Sequence, residues 1–482
     1  MNIKRFILFF ERYSLKLLIA WTLILFVLYS ALSIVRHNNF QSGAFDLGIY
    51  DQAVWQYSRF VYPENTIKER FILGDHLTLT LPLLSPLFYI WDDARILLLF
   101  QAFWMCLSIF GVYKLTRTRN FSNFVSCSLS FVYSLFYGIQ FIVFFDFHPV
   151  SIGVGLIPWM LYFFETGRKR WFLATIVLML ATQENMGLAL ASIGLIYVFK
   201  KSFRKEGFYF IIGGLVISFI AIKIVGSFSP VGYEYWPKIS LNPLTIIGEF
   251  FNSEDKRLVW LYSASSFSFL PFLFPGTILA VALDLAQYFL PQKQYAHMIT
   301  PFFHHRAILA PYLLLGLLEV LEFVRKKGIS PLFISIILVI LAILQQYIFH
   351  LPLNKLSKPA FFKSETWMDD TRQLLAIVPR DEPIAAPQHI VPHLSHRKEI
   401  YVLWPRMLDF DKDSPCGRKS CWWLEFAGKP KYLIANTSEQ QTLTQLLESP
   451  QNFHEAVENM EKNGKIKLEK KVGTAYLYEL IY

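Results

Sequence analysis

Long apolar blocks separated by short basic clusters constrain this chain more than any other feature. Lys114, Arg117 and Arg119 close one block, and Arg168, Lys169 and Arg170 follow another. Lys200, Lys201, Arg204 and Lys205 form a third cluster, and Arg325, Lys326 and Lys327 a fourth. Basic residues at the ends of apolar runs are the topological signature of a protein that crosses the bilayer repeatedly. Composition agrees: 54% of the 482 residues are hydrophobic and 17% charged, where soluble domains average about 45–50% apolar and about 25% charged. The net charge of +10 is thereby read as topology. A nucleic-acid partner would need a continuous basic stripe, and none is present.

Residues 1–16 carry Lys4, Arg5, Arg12 and Lys16 and are expected on the cytoplasmic side. Leu17–Val35 is the first span, long enough for a hydrocarbon core of about 30 Å, with no small-residue cleavage site after it. A long polar, aromatic external loop, Arg36–His76, comes next. Leu77–Trp91 contains Pro82 and Pro86 and is read as an external or re-entrant helix; Arg95–Tyr113 returns to the cytoplasm. Alternation then yields Phe121–Phe145, Val150–Phe164, the hairpin Trp171–Thr182/Met186–Phe199, and Phe208–Ile224. Beyond a second external loop, Val225–Arg257, come Leu258–Phe274 and Gly276–Leu290. A third loop, Pro291–Arg306, precedes Ala307–Val324 and Ile329–Phe349. The expectation is an α-helical polytopic membrane protein of about eleven spans over residues 1–350, with a small C-terminal α/β extracytoplasmic domain over 351–482. In the tail, Ile384–Ala386, Ile400–Leu403, Tyr432–Ala435, Ile466–Val472 and Tyr476–Leu480 read as strands. Gln441–Leu447 and Asn452–Lys462 read as helices. Cys106 and Cys127 lie in apolar blocks, and Cys416 and Cys421 could pair in an oxidising compartment.

The chemistry-bearing residues fall in the external loops. Asp46 and Asp51 stand five residues apart just beyond the first span, a spacing that separates them around a helix. Gly48 suits a tight bend near a ligand. Asp46 is a general base or substrate-hydroxyl partner on one reading and a helix N-cap on the other, and sequence does not choose. Asp75 and His76 end the first loop, Asp146 and His148 mark a span junction, and Glu184 sits in a hairpin turn. His297, His304, His305 and Arg306, with Lys293, populate the third loop. Cations near carboxylates on one side of a membrane suit an anionic lipid phosphate. Equally, the histidines are interfacial polar groups and Arg306 a span flank. A divalent metal stays open, because no HExxH or other tight ligand pattern occurs. Neither a phosphate-binding glycine loop nor a nucleophile elbow is present.

Phe45–Trp55, FDLGIYDQAVW, resembles the N-terminal signature of a family of predicted bacterial and archaeal membrane proteins (domain of unknown function 2079). Gly74-Asp75-His76, Gln101, Phe147-His148-Pro149, Gln183-Glu184-Asn185, Ala386-Pro387-Gln388-His389 and Pro392–Arg397 match it in order and spacing. That family is similar in architecture to the C-type (GT-C) glycosyltransferases, which take a sugar from a polyprenyl-phosphate donor outside the cell. The resemblance implies that Asp46 is the catalytic carboxylate, with Glu184 and His148 near the same cavity. Asp51, Asp75, His76, His304, His305 and Arg306 complete the candidate substrate-binding set. It implies a bacterial plasma-membrane enzyme whose partners are the bilayer, a polyprenyl-phosphate sugar and an envelope acceptor, with no nucleic acid. The rival expectations are a transporter or flippase, using charges such as Lys223 and Asp284, and a non-catalytic envelope-assembly protein.

Overall fold

The computed structural model describes residues 3–235, 242–290, 298–403, 426–446 and 449–482. Lys293, His297, Cys416 and Cys421 lie outside the described residues. The helices in chain order are α1 (Ile3–Asn38), α2 (Ile49–Ser58), α3 (Arg95–Thr118), α4 (Asn123–Ser134), α5 (Tyr137–Phe144), α6 (Val150–Glu165), α7 (Lys169–Leu180), α8 (Met186–Val198), α9 (Arg204–Phe228), α10 (Pro243–Glu249), α11 (Glu254–Ser266), α12 (Pro275–Phe289), α13 (Leu309–Lys326), α14 (Pro331–Ile348), α15 (Thr366–Leu375), α16 (Leu443–Leu446) and α17 (Pro450–Lys462). The strands are β1 (Glu64–Asn65), β2 (Arg70–Phe71), β3 (Ile384–Pro387), β4 (Ile400–Leu403), β5 (Tyr432–Asn436), β6 (Ile466–Val472) and β7 (Ala475–Leu480).

The chain forms two compact units. The first comprises residues 1–33, 76–80 and 99–358 and is helical. Among the described residues five helical segments are long and apolar enough to cross a membrane: Phe9–Asn38, Arg95–Thr118, Lys201–Phe228, His304–Lys326 and Pro331–Ile348. A sixth span arises if α4 and α5, bent by 47°, are taken together. The polytopic helical class is therefore established. The other apolar helices, α6 and α8 among them, are shorter than that criterion, so the expected eleven is not reached by length. Leu23, Ile24 and Val27 on α1, Ile212 and Phe219 on α9, and Phe333 and Ile340 on α14 are exposed. Apolar surface on this scale needs a lipid solvent.

Where α4 meets α5 the broken backbone is repaired by Gln140. Its amide donates to the Leu135 carbonyl (2.7 Å) and to Gln346 Oε1 (2.8 Å), and its oxygen accepts from the Leu353 N–H (3.2 Å). Without such a partner a freed carbonyl in hydrocarbon would cost several kcal/mol. Helices α8 and α9 pack through glycine: a Cβ on Gly187 would lie 2.5 Å from the Gly214 carbonyl oxygen. Small residues let membrane helices approach to backbone contact.

Arg119, read from sequence only as a topology mark, is 6% exposed. It binds Glu165 through two nitrogens (2.6 and 3.0 Å) and Glu319 at 2.6 Å, while Lys200 reaches Glu319 at 3.0 Å. The ends of α3, α6 and α13 are thus joined by buried charge.

The second unit comprises residues 34–75, 81–98 and 359–482, so the first loop and the tail fold together. Its sheet has the order β4-β3-β5-β7-β6. β3 runs parallel to β4 and β5, with Ile384 opposite Ile400; β5 and β7 are antiparallel, with Leu433 opposite Tyr478. β3 and β4 are wholly buried, as continuous apolar parallel strands must be. β6 is the exposed edge, where Lys467, Lys470 and Lys471 discourage further strand pairing. Leu403, Leu433, Phe453, Val457 and Tyr478 form the core. α17 begins on Ser449, whose hydroxyl accepts from the Asn452 N–H, with Pro450 in the first turn, a standard helix start. All five expected strands are present. α15 was not anticipated; its Trp367 carbonyl and Thr371 hydroxyl both accept from Asn436 Nδ2. The proline-rich stretch after Leu77 forms a 3-10 helix, Leu81–Tyr89.

Candidate active site

Asp46 lies in the five-residue π-helix Ala44–Gly48, which follows α1 after a short loop, and is partly exposed. The N-cap of that helix is Gly43, and Asp46 falls in its first turn. Asp46 therefore does not occupy the N-cap position of that helix. Gly48 is right-handed helical, with φ −58°, so it does not serve a tight bend. Its lack of a side chain serves packing: a Cβ would stand 3.1 Å from Ile67 Cδ1 and 3.2 Å from Val391 Cγ1.

Asp51, in the first turn of α2, faces inward and is 0% exposed. Ser395 donates to its Oδ2 at 2.5 Å and His396 Nε2 approaches Oδ1 at 3.1 Å. Asp51 reaches any ligand only through these two side chains. The two acidic residues of the FDLGIYD motif thus have different surroundings. Gln52 fixes the same helix, its amide contacting the Thr66 hydroxyl at 2.8 Å and the Lys398 carbonyl at 3.1 Å. Asp75 is buried and paired with Lys68 at 3.0 Å.

In the helical unit the structure brings His76, Glu184 and His305 to one small cavity of about 70 Å³, together with Gln183, Asn185 and Tyr288. Glu184 is 4% exposed. Its Oε1 is 2.7 Å from His76 Nδ1 and accepts from the Tyr233 hydroxyl at 3.3 Å; its Oε2 accepts from the Leu77 N–H at 3.1 Å. Burial opposes its ionisation, yet His76 and these donors outweigh burial and hold the carboxyl below its ordinary value. The His76 ring stacks on Tyr235 at 5.1 Å. A buried, hydrogen-bonded carboxylate beside an imidazole can orient a hydroxyl or accept its proton.

Gln101 is fully buried and shapes the junction before α6. Its amide donates to the Ile142 and Asp146 carbonyls (2.7 and 3.1 Å), and its oxygen accepts from the His148 N–H at 3.0 Å. His148 stacks on His304 at 3.6 Å, and the His305 ring lies tilted against His304 at 3.9 Å. Arg306 is 0% exposed. It donates from Nε to the Thr300 carbonyl at 3.2 Å, also binds the Met298 carbonyl, and lies over the Tyr288 ring at 4.9 Å. It braces its own loop, while its Nη1 is buried with no hydrogen-bond partner among the described residues. Asp284, also 0% exposed, accepts from Gln287 (3.2 Å) and Tyr312 (3.4 Å), whereas Lys223 is on the exposed side of α9. Among the described residues no three His, Cys, Asp or Glu side chains form a group able to hold a metal ion.

A spanning helix, a carboxylate-bearing loop directly after it, further apolar helices and a small sheet in the tail make up a multi-span helical membrane protein with a mixed α/β tail. Two crystal structures of ArnT from Cupriavidus metallidurans share this fold, one bound to undecaprenyl phosphate and one in the apo state. The TM-scores are 0.50 and 0.51 at 11% and 12% identity, covering 97% of this chain and 98% of theirs. The chain belongs to the family of predicted membrane proteins DUF2079, whose profile matches residues 36–446. No curated protein matches it by sequence.

Proposed function

We propose that this protein is a plasma-membrane glycosyltransferase that moves a sugar from a polyprenyl phosphate to an envelope acceptor on the external face. The observation that carries the reading is the fold shared, over nearly the whole chain, with a protein solved bound to undecaprenyl phosphate. The partly exposed Asp46, in the loop that follows the first membrane helix, adds to it. A nucleotide sugar is not supplied outside the cell, so an external transferase needs a donor carried in the lipid.

In this reading Asp46 takes the proton from the acceptor hydroxyl as its oxygen attacks the anomeric carbon. The bond from that carbon to the phosphate oxygen breaks, and polyprenyl phosphate leaves with the bonding pair. Positioned acid–base catalysis of this kind contributes about 10²–10⁴-fold. The N-terminus would be cytoplasmic and the residues after 350 external, as the basic clusters direct. Glu184, His76 and His148 are candidate substrate contacts within the helical unit.

The test is Asp46→Asn in a reconstituted transfer assay with a polyprenyl-phosphate sugar, read alongside envelope glycan profiles. Loss of transfer at unchanged expression is expected. Full transfer by the variant, or uptake into vesicles without any transfer, overturns the reading, and the latter outcome favours a transporter.

A further inference from the structure

The tail segment Pro392–Arg397 has no part in the chemistry assigned to Asp46, yet it lines a polar cavity of the second unit. That cavity measures about 320 Å³, within the range of small-molecule sites. Its wall includes Asp92, Asp93, Arg95, Arg372, His393 and His396.

These charges are matched pair by pair. His396 stands between two carboxylates, with Nε2 3.1 Å from Asp51 and Nδ1 2.9 Å from Asp92. Arg95 grips Asp93 through two hydrogen bonds of 2.7 and 2.6 Å. Arg59 donates to the other oxygen of Asp92 at 2.9 Å. Arg372 binds Asp369 and donates to the Asn38 carbonyl at 3.0 Å. An incoming anion would meet Asp92 and Asp93, and an incoming cation would meet Arg95 and Arg372. A neutral ligand rich in hydroxyls meets neither penalty. Each ionised group retains lone pairs or N–H donors beyond its partner, and hydrogen bonds to charged groups are the strong ones. The stacked rings of His37 and His393, 4.1 Å apart and inclined by 26°, lie beside them. Asp92 is half exposed, whereas Asp51 is fully buried. Asp92 is therefore the contact residue, and Asp51 and Ser395 are positioning residues acting through His396.

We propose that this cavity binds a neutral sugar of the acceptor glycan through its hydroxyls, with Asp92 and His396 as the central contacts. The proposal rests on the transfer reading for its biological sense but is tested apart from it. Purified full-length protein without lipid donor is titrated calorimetrically with a panel of methyl hexosides. At least one is expected to bind, at least tenfold more weakly to Asp92→Asn and unchanged to Lys467→Ala on the edge strand. Hydrogen exchange on the wild-type chain supplies a readout that needs no variant: the glycoside should protect residues 92–95 and 392–397. Absence of binding across the panel, equal binding by Asp92→Asn, or protection elsewhere overturns the proposal. Glycoside binding at Asp92 in a protein that transfers no sugar would sink the transferase reading alone.

Discussion

His76 Nδ1 and Glu184 Oε1 stand 2.7 Å apart, joining the end of the first loop to a hairpin turn more than one hundred residues later. The contact satisfies a carboxylate that is almost wholly withdrawn from water. Glu184→Gln keeps the shape and removes the charge, at an expected cost of about 1–3 kcal/mol. Because the folded carboxyl is held below its ordinary value of 4.5, its stabilisation is complete above that value and fades as pH falls through it. The melting difference between wild type and Glu184→Gln should therefore be full near neutral pH and close in acid. A difference that widens in acid would refute the assignment.

His396 carries the opposite sign. Burial disfavours its charge, but Asp51, Asp92 and Asp93 outweigh burial and raise the imidazole above 6.5. A raised folded value gives stability that is present below 6.5 and lost as pH rises past the folded value. Nuclear magnetic resonance of the imidazole should show a midpoint above 6.5, and Asp92→Asn should lower it. His396→Gln should matter most to melting in mild acid and least in alkali.

Arg119 faces Glu165 and Glu319 at 2.6 Å each in a nearly dry setting. Arg119→Met leaves Glu165, Glu319 and Glu322 facing Lys200 alone among the cations of this network, with the Tyr197 hydroxyl still donating to Glu165, and breaking one side of a buried ion pair costs about 3–5 kcal/mol. Adding Glu165→Gln and Glu319→Gln to the same variant should restore most of the loss. Thermal melts in detergent measure both effects; equal melting of Arg119→Met and wild type would show the network to be idle.

The contact of α8 with α9 gives a paired test. Gly187→Ala forces a methyl group against the Gly214 carbonyl, and overpacking of this kind costs about 1–3 kcal/mol. Gly213→Ala, one residue from that contact, meets nothing within 4 Å and should be neutral. Equal effects would place the helix interface elsewhere.

The sequence alone determined that the chain spans membranes, because block length and hydropathy are local properties and lipid tolerates little else. It also determined the five tail strands, whose short apolar runs and turn signals are local too. The motif that names the family was legible for the same reason. What tertiary structure decided was the fate of individual polar groups. Asp46 and Asp51 look alike in the sequence, yet one is partly exposed and the other is sealed behind Ser395 and His396, which lie more than three hundred residues away. Arg119 read as a flanking charge and Arg306 as either a span flank or a phosphate-binding cation, and burial turned one into the centre of an ion network and the other into a brace for its own loop. α15 escaped notice because its amphipathic face acquires meaning only against Asn436 and the sheet. Burial and partnership depend on contacts between segments distant in the chain, and no window of neighbouring residues encodes them.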